Sequence, residues 1–271
     1  MSRRNLLVCT YAGYVFMAGF LVGWWLIAGY VPPPDPDRSA SAVAAWYTAN
    51  PTAIRVGLWI CCGAAALVLP WCAAIAAMVK RIEGRSSPIT YVMVAAGAAL
   101  AIEFILPSFL WLTAAYRPDV APDIVQRLND AGWLPFLGGA STTIVQCILL
   151  GIVILGDERR PPTFPRWLAY FNFCAAVGLS PATLIVFFHG GPLAWNGVIA
   201  FYLVFVVFAA WGVTLTHQVA RSIKRLVPTD EVPDEISVLR AEIETLRSEF
   251  AKLHAPTAPA EDPAPTARHP T

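Results

Sequence analysis

Charge is almost absent from six long stretches of this chain, and nearly every charged residue falls in the short segments between them. The apolar runs cover about residues 6–31, 53–79, 89–115, 134–155, 167–188 and 195–216. Crossing the hydrocarbon of a bilayer takes roughly 20 consecutive apolar residues in a helix. In lipid, only a helix satisfies the backbone of such a run within the run itself. Composition agrees: 57% of the 271 residues are apolar and 14% charged, where soluble domains carry about a quarter charged residues. The expectation is an all-α polytopic transmembrane helix bundle of six spans, occupying residues 1–227. A net charge of +1 excludes the basic field by which nucleic acid is held.

Arg3 and Arg4 precede the first run, which exceeds the 7–15 apolar residues of a signal-peptide core and therefore reads as a retained anchor. Orientation follows from the remaining cations. Arg3, Arg4, Lys80, Arg81, Arg85, Arg159, Arg160, Arg166, Arg221, Lys224 and Arg225 fall on one side, with Arg240, Arg247, Lys252 and Arg268 in the tail. Only Arg38, Arg55, Arg117 and Arg127 fall on the other. By the positive-inside rule both termini are cytoplasmic, and the expected location is a bacterial inner (plasma) membrane, multi-pass.

Two outer loops carry helical signals. In the first, Val43, Trp46 and Tyr47 have helical spacing within Ser41 to Thr48. In the second, Pro122 suits a first helical position, Asp123 follows it, Ile124 and Leu128 share a face, and Gly132 reads as a stop. Both are expected to lie at the outer interface, unless they are plain connectors.

Beyond the sixth span, Arg221, Lys224 and Arg225 sit where anionic lipid headgroups would meet them. Residues 228–254 then read as a cytoplasmic helix. Ile236, Leu239, Ile243, Leu246, Phe250 and Leu253 recur at spacings of 3 and 4 and form a heptad seam suited to self-association as a coiled coil. An amphipathic helix packed on the protein's own inner loops is the competing reading. Residues 255–271, rich in Pro, Ala and Thr, are expected to be disordered.

Ionisable groups inside a membrane are costly and point to function. Glu103 is the one clear case, about 14 residues, or roughly 21 Å, from the inner end of the third span. Counting depth the same way places Thr142, Ser180 and Tyr202 at nearly its level, with Gln146 and Thr183 one turn away. If these faces converge, they form a polar pocket. Glu103 is then either a proton or ligand site, or a structural carboxyl bonded to Gln146 or a backbone carbonyl. His189, in His189-Gly190-Gly191-Pro192, is either a ligand contact at the mouth of an outward-facing pocket or a polar turn residue. Pro70, Pro107 and Pro181 are expected to kink their spans. Gly19 and Gly23 form a G-x-x-x-G suited to close helix packing.

The six cysteines all lie in apolar runs and read as small buried residues, with no C-x-x-C to suggest zinc or a disulfide framework. No phosphate loop, nucleophile elbow, H-E-x-x-H or haem-ligating pair of His on one span occurs, so neither a metal nor a cofactor is indicated. No internal repeat relates the first three spans to the last three.

The stretches Ala115-Tyr116-Arg117-Pro118-Asp119 to Leu128-Asn129-Asp130 and Gly191-Pro192-Leu193-Ala194-Trp195-Asn196-Gly197 resemble segments of uncharacterised bacterial multi-pass membrane proteins over the last four spans. The resemblance implies a membrane family and no activity. Three functional classes follow from the residues. The first is a homo-oligomeric binding or accessory subunit that takes a lipid-like or apolar molecule around Glu103. The second is a transporter or channel gated at Glu103 and the proline-kinked spans. The third is a membrane-embedded enzyme with Glu103 as general acid.

Overall fold

The structure, a computed structural model, describes residues 2–84, 87–226, 242–247 and 250. It divides into two units, Met1–Leu226 and Val227–Thr271. The first contains six helices long and apolar enough to cross a membrane: Arg3–Ile27, Pro51–Glu83, Pro88–Tyr116, Pro122–Leu155, Trp167–Phe187 and Val198–Lys224. No strand occurs among the described residues. The chain is an all-α, multi-pass integral membrane protein.

Several of the six are interrupted. Helix α1 (Arg3–Leu21) continues as a π-helical turn, Val22–Ile27. A short helix between the first two spans, α2 (Ala40–Ala49), begins where the Ser39 hydroxyl accepts from the Ala42 amide, and it buries Val43 and Tyr47 as the spacing predicts. Both side chains turn into the protein and not toward headgroups. The second span breaks at Leu67 into α3 (Pro51–Ala66) and α4 (Val68–Glu83). Pro70 then occupies the first turn of α4, where its missing N–H costs nothing. Helix α5 (Pro88–Tyr116) continues through Pro107, which lies inside it.

The fourth span corrects the sequence reading. Helix α6 (Pro122–Gly138) starts at Pro122 as expected, but it passes straight through Gly132 into the membrane and joins α7 (Ser141–Leu155) at Gly139-Ala140. Gly132 is a packing residue: a Cβ placed there would lie 2.3 Å from Trp111 Nε1. In the fifth span α8 (Trp167–Leu179) tightens at Ser180 into a 3-10 segment, Ser180–Phe187, with Pro181 in its first turn. The sixth opens with a second π-helical turn, Val198–Leu203, and continues as α9 (Val204–Lys224).

The spans form a closed ring in which α9 neighbours α1, α1 neighbours α3 and α4, these flank α5, α5 meets α6 and α7, and α7 returns through α8 to α9. Small residues set the close approaches. Trp71 of α4, fully buried, fits against Gly13 of α1, where a Cβ would come within 2.5 Å of its ring, and stacks edgewise on Trp211 of α9 at 5.7 Å. Gly23 of the G-x-x-x-G meets the Gly57 carbonyl of α3, while Gly19 meets Ala64. At the charged end of this pair, the Arg3 guanidinium donates to the Lys224 carbonyl at 2.6 Å and so caps α9.

In the second unit, Glu242–Arg247 is helical. Ile243, Leu246 and Phe250 are described, whereas Ile236, Leu239 and Leu253 of the heptad seam, and residues 255–271, lie outside the described residues.

Candidate functional site

Aromatic residues recur every three or four positions on the first and last spans. Phe16, Phe20 and Trp24 follow one face of α1 and its π turn, and Phe201, Phe205 and Phe208 follow one face of the sixth span. The fold turns these two stripes toward each other, with Phe104 of α5 and Phe136 of α6 behind them. Phe104 lies 5.0 Å from Phe16, 4.9 Å from Phe20, 5.7 Å from Phe136 and 5.6 Å from Phe208. Toward the C-terminal end of the first span, Trp24 meets Phe201 at 5.9 Å and Trp25 meets Phe205 at 6.3 Å. Such edge-to-face arrangements are favourable beyond simple burial.

Between the stripes is a crevice of about 530 Å³, within the roughly 300–1,000 Å³ range of small-molecule sites. Its walls are almost wholly apolar. Ala18 and Leu21 of α1, Trp25 of the π turn that follows it and Val213 of α9 line it and are also exposed on the outside of the bundle. The crevice therefore opens sideways between α1 and α9. Both π-helical turns belong to these two flanking spans, and π turns are rare elements that concentrate at functional sites.

Glu103 is the one ionisable carboxyl lining the crevice. It stands 15 residues from Pro88 and 13 from Tyr116, in the middle of α5. Its side chain is half-buried, rests against Gly139, where a Cβ would lie 2.9 Å from its Cγ, and accepts one long hydrogen bond, from Thr142 Oγ1 at 3.4 Å. Among the described residues the carboxyl has no other hydrogen bond, and the single ion pair in the structure, Arg159 with Asp157 at 3.0 Å, lies elsewhere. Pro107 also withholds the N–H that would have bonded the Glu103 carbonyl. Thr143, buried and also on the crevice wall, has a hydroxyl without a partner among the described residues.

Of the polar residues placed at one depth by counting, only Thr142 touches Glu103. Gln146 is buried but faces α4, where its amide reaches Cys72 Sγ at 3.8 Å and its carbonyl oxygen lacks a partner. Ser180 and Thr183 bond back to their own helix, to Val177 and Ser180 carbonyls. Tyr202 points outward with 42% of its surface exposed. His189 is exposed in the turn that Gly191, at φ +79°, allows. Equal depth therefore does not mean a common face.

Sequence counting also passed over the aromatic stripes and Thr143. The stripes were visible as i, i+4 repeats; Thr143 was not distinguishable from Thr142 until α6 and α7 were joined. Among the described residues no three His, Cys, Asp or Glu side chains gather as a metal set would require. Compared with known proteins, the chain matches no family model, no curated protein and no solved structure.

Proposed function

We propose that this membrane protein is a binding or accessory subunit that holds a lipid-like, mainly apolar molecule in the crevice between α1 and α9, with Glu103 meeting its polar group. One observation carries the reading: a carboxyl at mid-span, held by a single 3.4 Å hydrogen bond, borders an otherwise apolar space of about 530 Å³. A structural carboxyl in lipid is expected to have its oxygens satisfied by neighbouring helices, since an unpaired polar group there costs several kcal/mol. A carboxyl left half-satisfied beside a cavity is arranged to receive something.

The membrane in this reading is a bacterial plasma membrane, with Arg3 and the Arg221–Arg225 stretch on the cytoplasmic side; the skewed Lys and Arg distribution supports that orientation. Maleimide applied to intact cells would then label Ser39→Cys and leave Glu158→Cys unlabelled. The anionic headgroups expected at Arg221, Lys224 and Arg225, and self-association through the 236–253 heptad, belong to the same reading. The latter predicts that ending the chain at Val227 lowers the oligomeric state.

The test is native mass spectrometry of protein released in mild detergent. Wild type should retain an additional small mass, and Ala209→Phe, which places a ring in the crevice, should lose it. Equal spectra from both proteins, with no retained mass, would sink the proposal.

A further inference from the structure

Resting on the binding function just proposed, the geometry points to a ring-headed neutral lipid as the occupant: a prenyl quinone whose ring lies among Phe16, Phe20, Phe104 and Phe136, with one carbonyl oxygen at Glu103. The tail leaves sideways between α1 and α9.

Three features select this class. The first is depth. Glu103 is near the middle of α5, so the occupant's polar group sits at the centre of the hydrocarbon. Phospholipids keep their charged heads at the interface, because carrying a phosphate to the middle of the bilayer is prohibitively costly. A quinone is uncharged, and its whole length is soluble in hydrocarbon.

The second is the chemistry of the polar contacts, the Glu103 carboxyl with the Thr143 hydroxyl beside it on the wall. No Lys or Arg lines the crevice, so nothing there would neutralise an anionic head. A carboxylate ligand would face Glu103 with no cation to hold the pair. A quinone oxygen instead accepts one hydrogen bond, and Glu103 in its neutral acid form donates one from the carboxyl oxygen that is uncommitted among the described residues.

The third is shape. Rings line the deep part of the crevice: Phe20 stacks on Phe136 at 5.9 Å with 16° between their planes, and Phe104 is turned edge-on to both. Flat walls and ring edges suit a flat ring, which gains offset-stacked and edge-to-face contacts that an alkyl chain does not make. The exposed rim residues Ala18, Leu21 and Val213 then leave a path for an isoprenoid tail toward lipid.

The probe is a benzoquinone with a two-unit prenyl tail, titrated into the purified full-length protein in detergent. Trp24 and Trp25 line the crevice, so binding reads out as saturable quenching of tryptophan fluorescence, checked by retained quinone mass in native spectra. Saturable quenching by wild type is expected. Glu103→Gln, which keeps a donor and an acceptor, should bind within about 3-fold of wild type, whereas Glu103→Leu should bind about 10-fold more weakly. Ala209→Phe and Ala18→Phe should both abolish saturation; Ala18 faces outward, so its variant reports blockage of the mouth without disturbing the core.

Quenching that never saturates, or Glu103→Leu binding as tightly as wild type, overturns the quinone assignment. If oleic acid or cholesterol binds saturably instead, and Ala209→Phe displaces it, the crevice still binds a ligand and only the ring-headed class is refuted. If no probe binds and wild type retains no mass, the proposed function falls with it.

Discussion

Replacing Gly132 by alanine separates two accounts of the fourth span by the sign of the effect. Gly132 lies inside α6, ten residues from the start of that helix at Pro122. On helix propensity alone, alanine should stabilise an interior position by about 0.8–1 kcal/mol. The fold opposes this. A Cβ at Gly132 would lie 2.3 Å from Trp111 Nε1 and 2.6 Å from two of its ring carbons. Trp111 has no exposed surface and is wedged against Trp24, Tyr30 and Trp133, so it has little room to retreat. Forcing one methyl into such a core costs about 1–3 kcal/mol. Moving the indole also strains its 3.1 Å hydrogen bond to the Asn129 carbonyl, worth about 0.6 kcal/mol between membrane helices.

The net is a loss of about 0.6–2.8 kcal/mol once the propensity gain is subtracted. For a chain of this size each kcal/mol moves Tm by roughly 2–4 °C. Thermal unfolding in detergent, followed by tryptophan fluorescence, should show Gly132→Ala melting several degrees below wild type. The double variant with Trp111→Leu should show a strong positive coupling, because the smaller side chain removes the clash. A Gly132→Ala protein as stable as wild type, or more so, would refute this account of Gly132 and Trp111.

Trp211→Phe removes the 2.9 Å bond from the indole to Asn172 Oδ1 and leaves that buried acceptor unpaired; it should cost about 1–3 kcal/mol in the same melt. Trp167→Phe, at a half-exposed ring, should change stability by less than about 0.5 kcal/mol. The buried hydrogen-bond chain, in which Tyr30 and Tyr47 hydroxyls are 3.0 Å apart and Tyr47 donates to Asn129 Oδ1 at 3.2 Å, is directional. Tyr47→Phe orphans the Tyr30 O–H and the Asn129 oxygen together, so it should destabilise more than Tyr30→Phe, by about 1 kcal/mol or more. In the loop after α7, burial pushes the Asp157 carboxyl up, but hydrogen bonds from Thr163 and Arg159 outweigh this and hold it below the usual carboxylate range. Its contribution is therefore fully present above the unfolded value near 3.9 and is lost as pH falls through the lower folded value. Wild type should lose protection of the Thr163 amide against hydrogen exchange on acidification below about pH 4, whereas Asp157→Asn should be less protected at pH 7 and insensitive to that change.

What could be read along the chain was whatever lipid itself dictates. A bilayer fixes the length and polarity of anything that crosses it, so the six spans were legible from hydropathy, and α2 from the spacing of Val43 and Tyr47. Glu103 stood out for the same reason, as a carboxyl in an apolar run.

Facing was not legible. A span in lipid is apolar on its outer side and on its inner side alike, so hydropathy does not say which residues look inward. Depth counting put Ser180, Thr183 and Tyr202 beside Glu103, yet all three turn away, and Thr143 is the threonine that shares its crevice. Volume made that choice: Gly13 and Gly57 let α1 close on α4 and α3, and Gly132 let α6 close on Trp111. The bulk left over between α1 and α9 became the crevice. The sequence alone determined that the chain enters the membrane and how often. Only tertiary structure decided which side chains meet, because shape complementarity between distant segments has no signature in the polarity of either one.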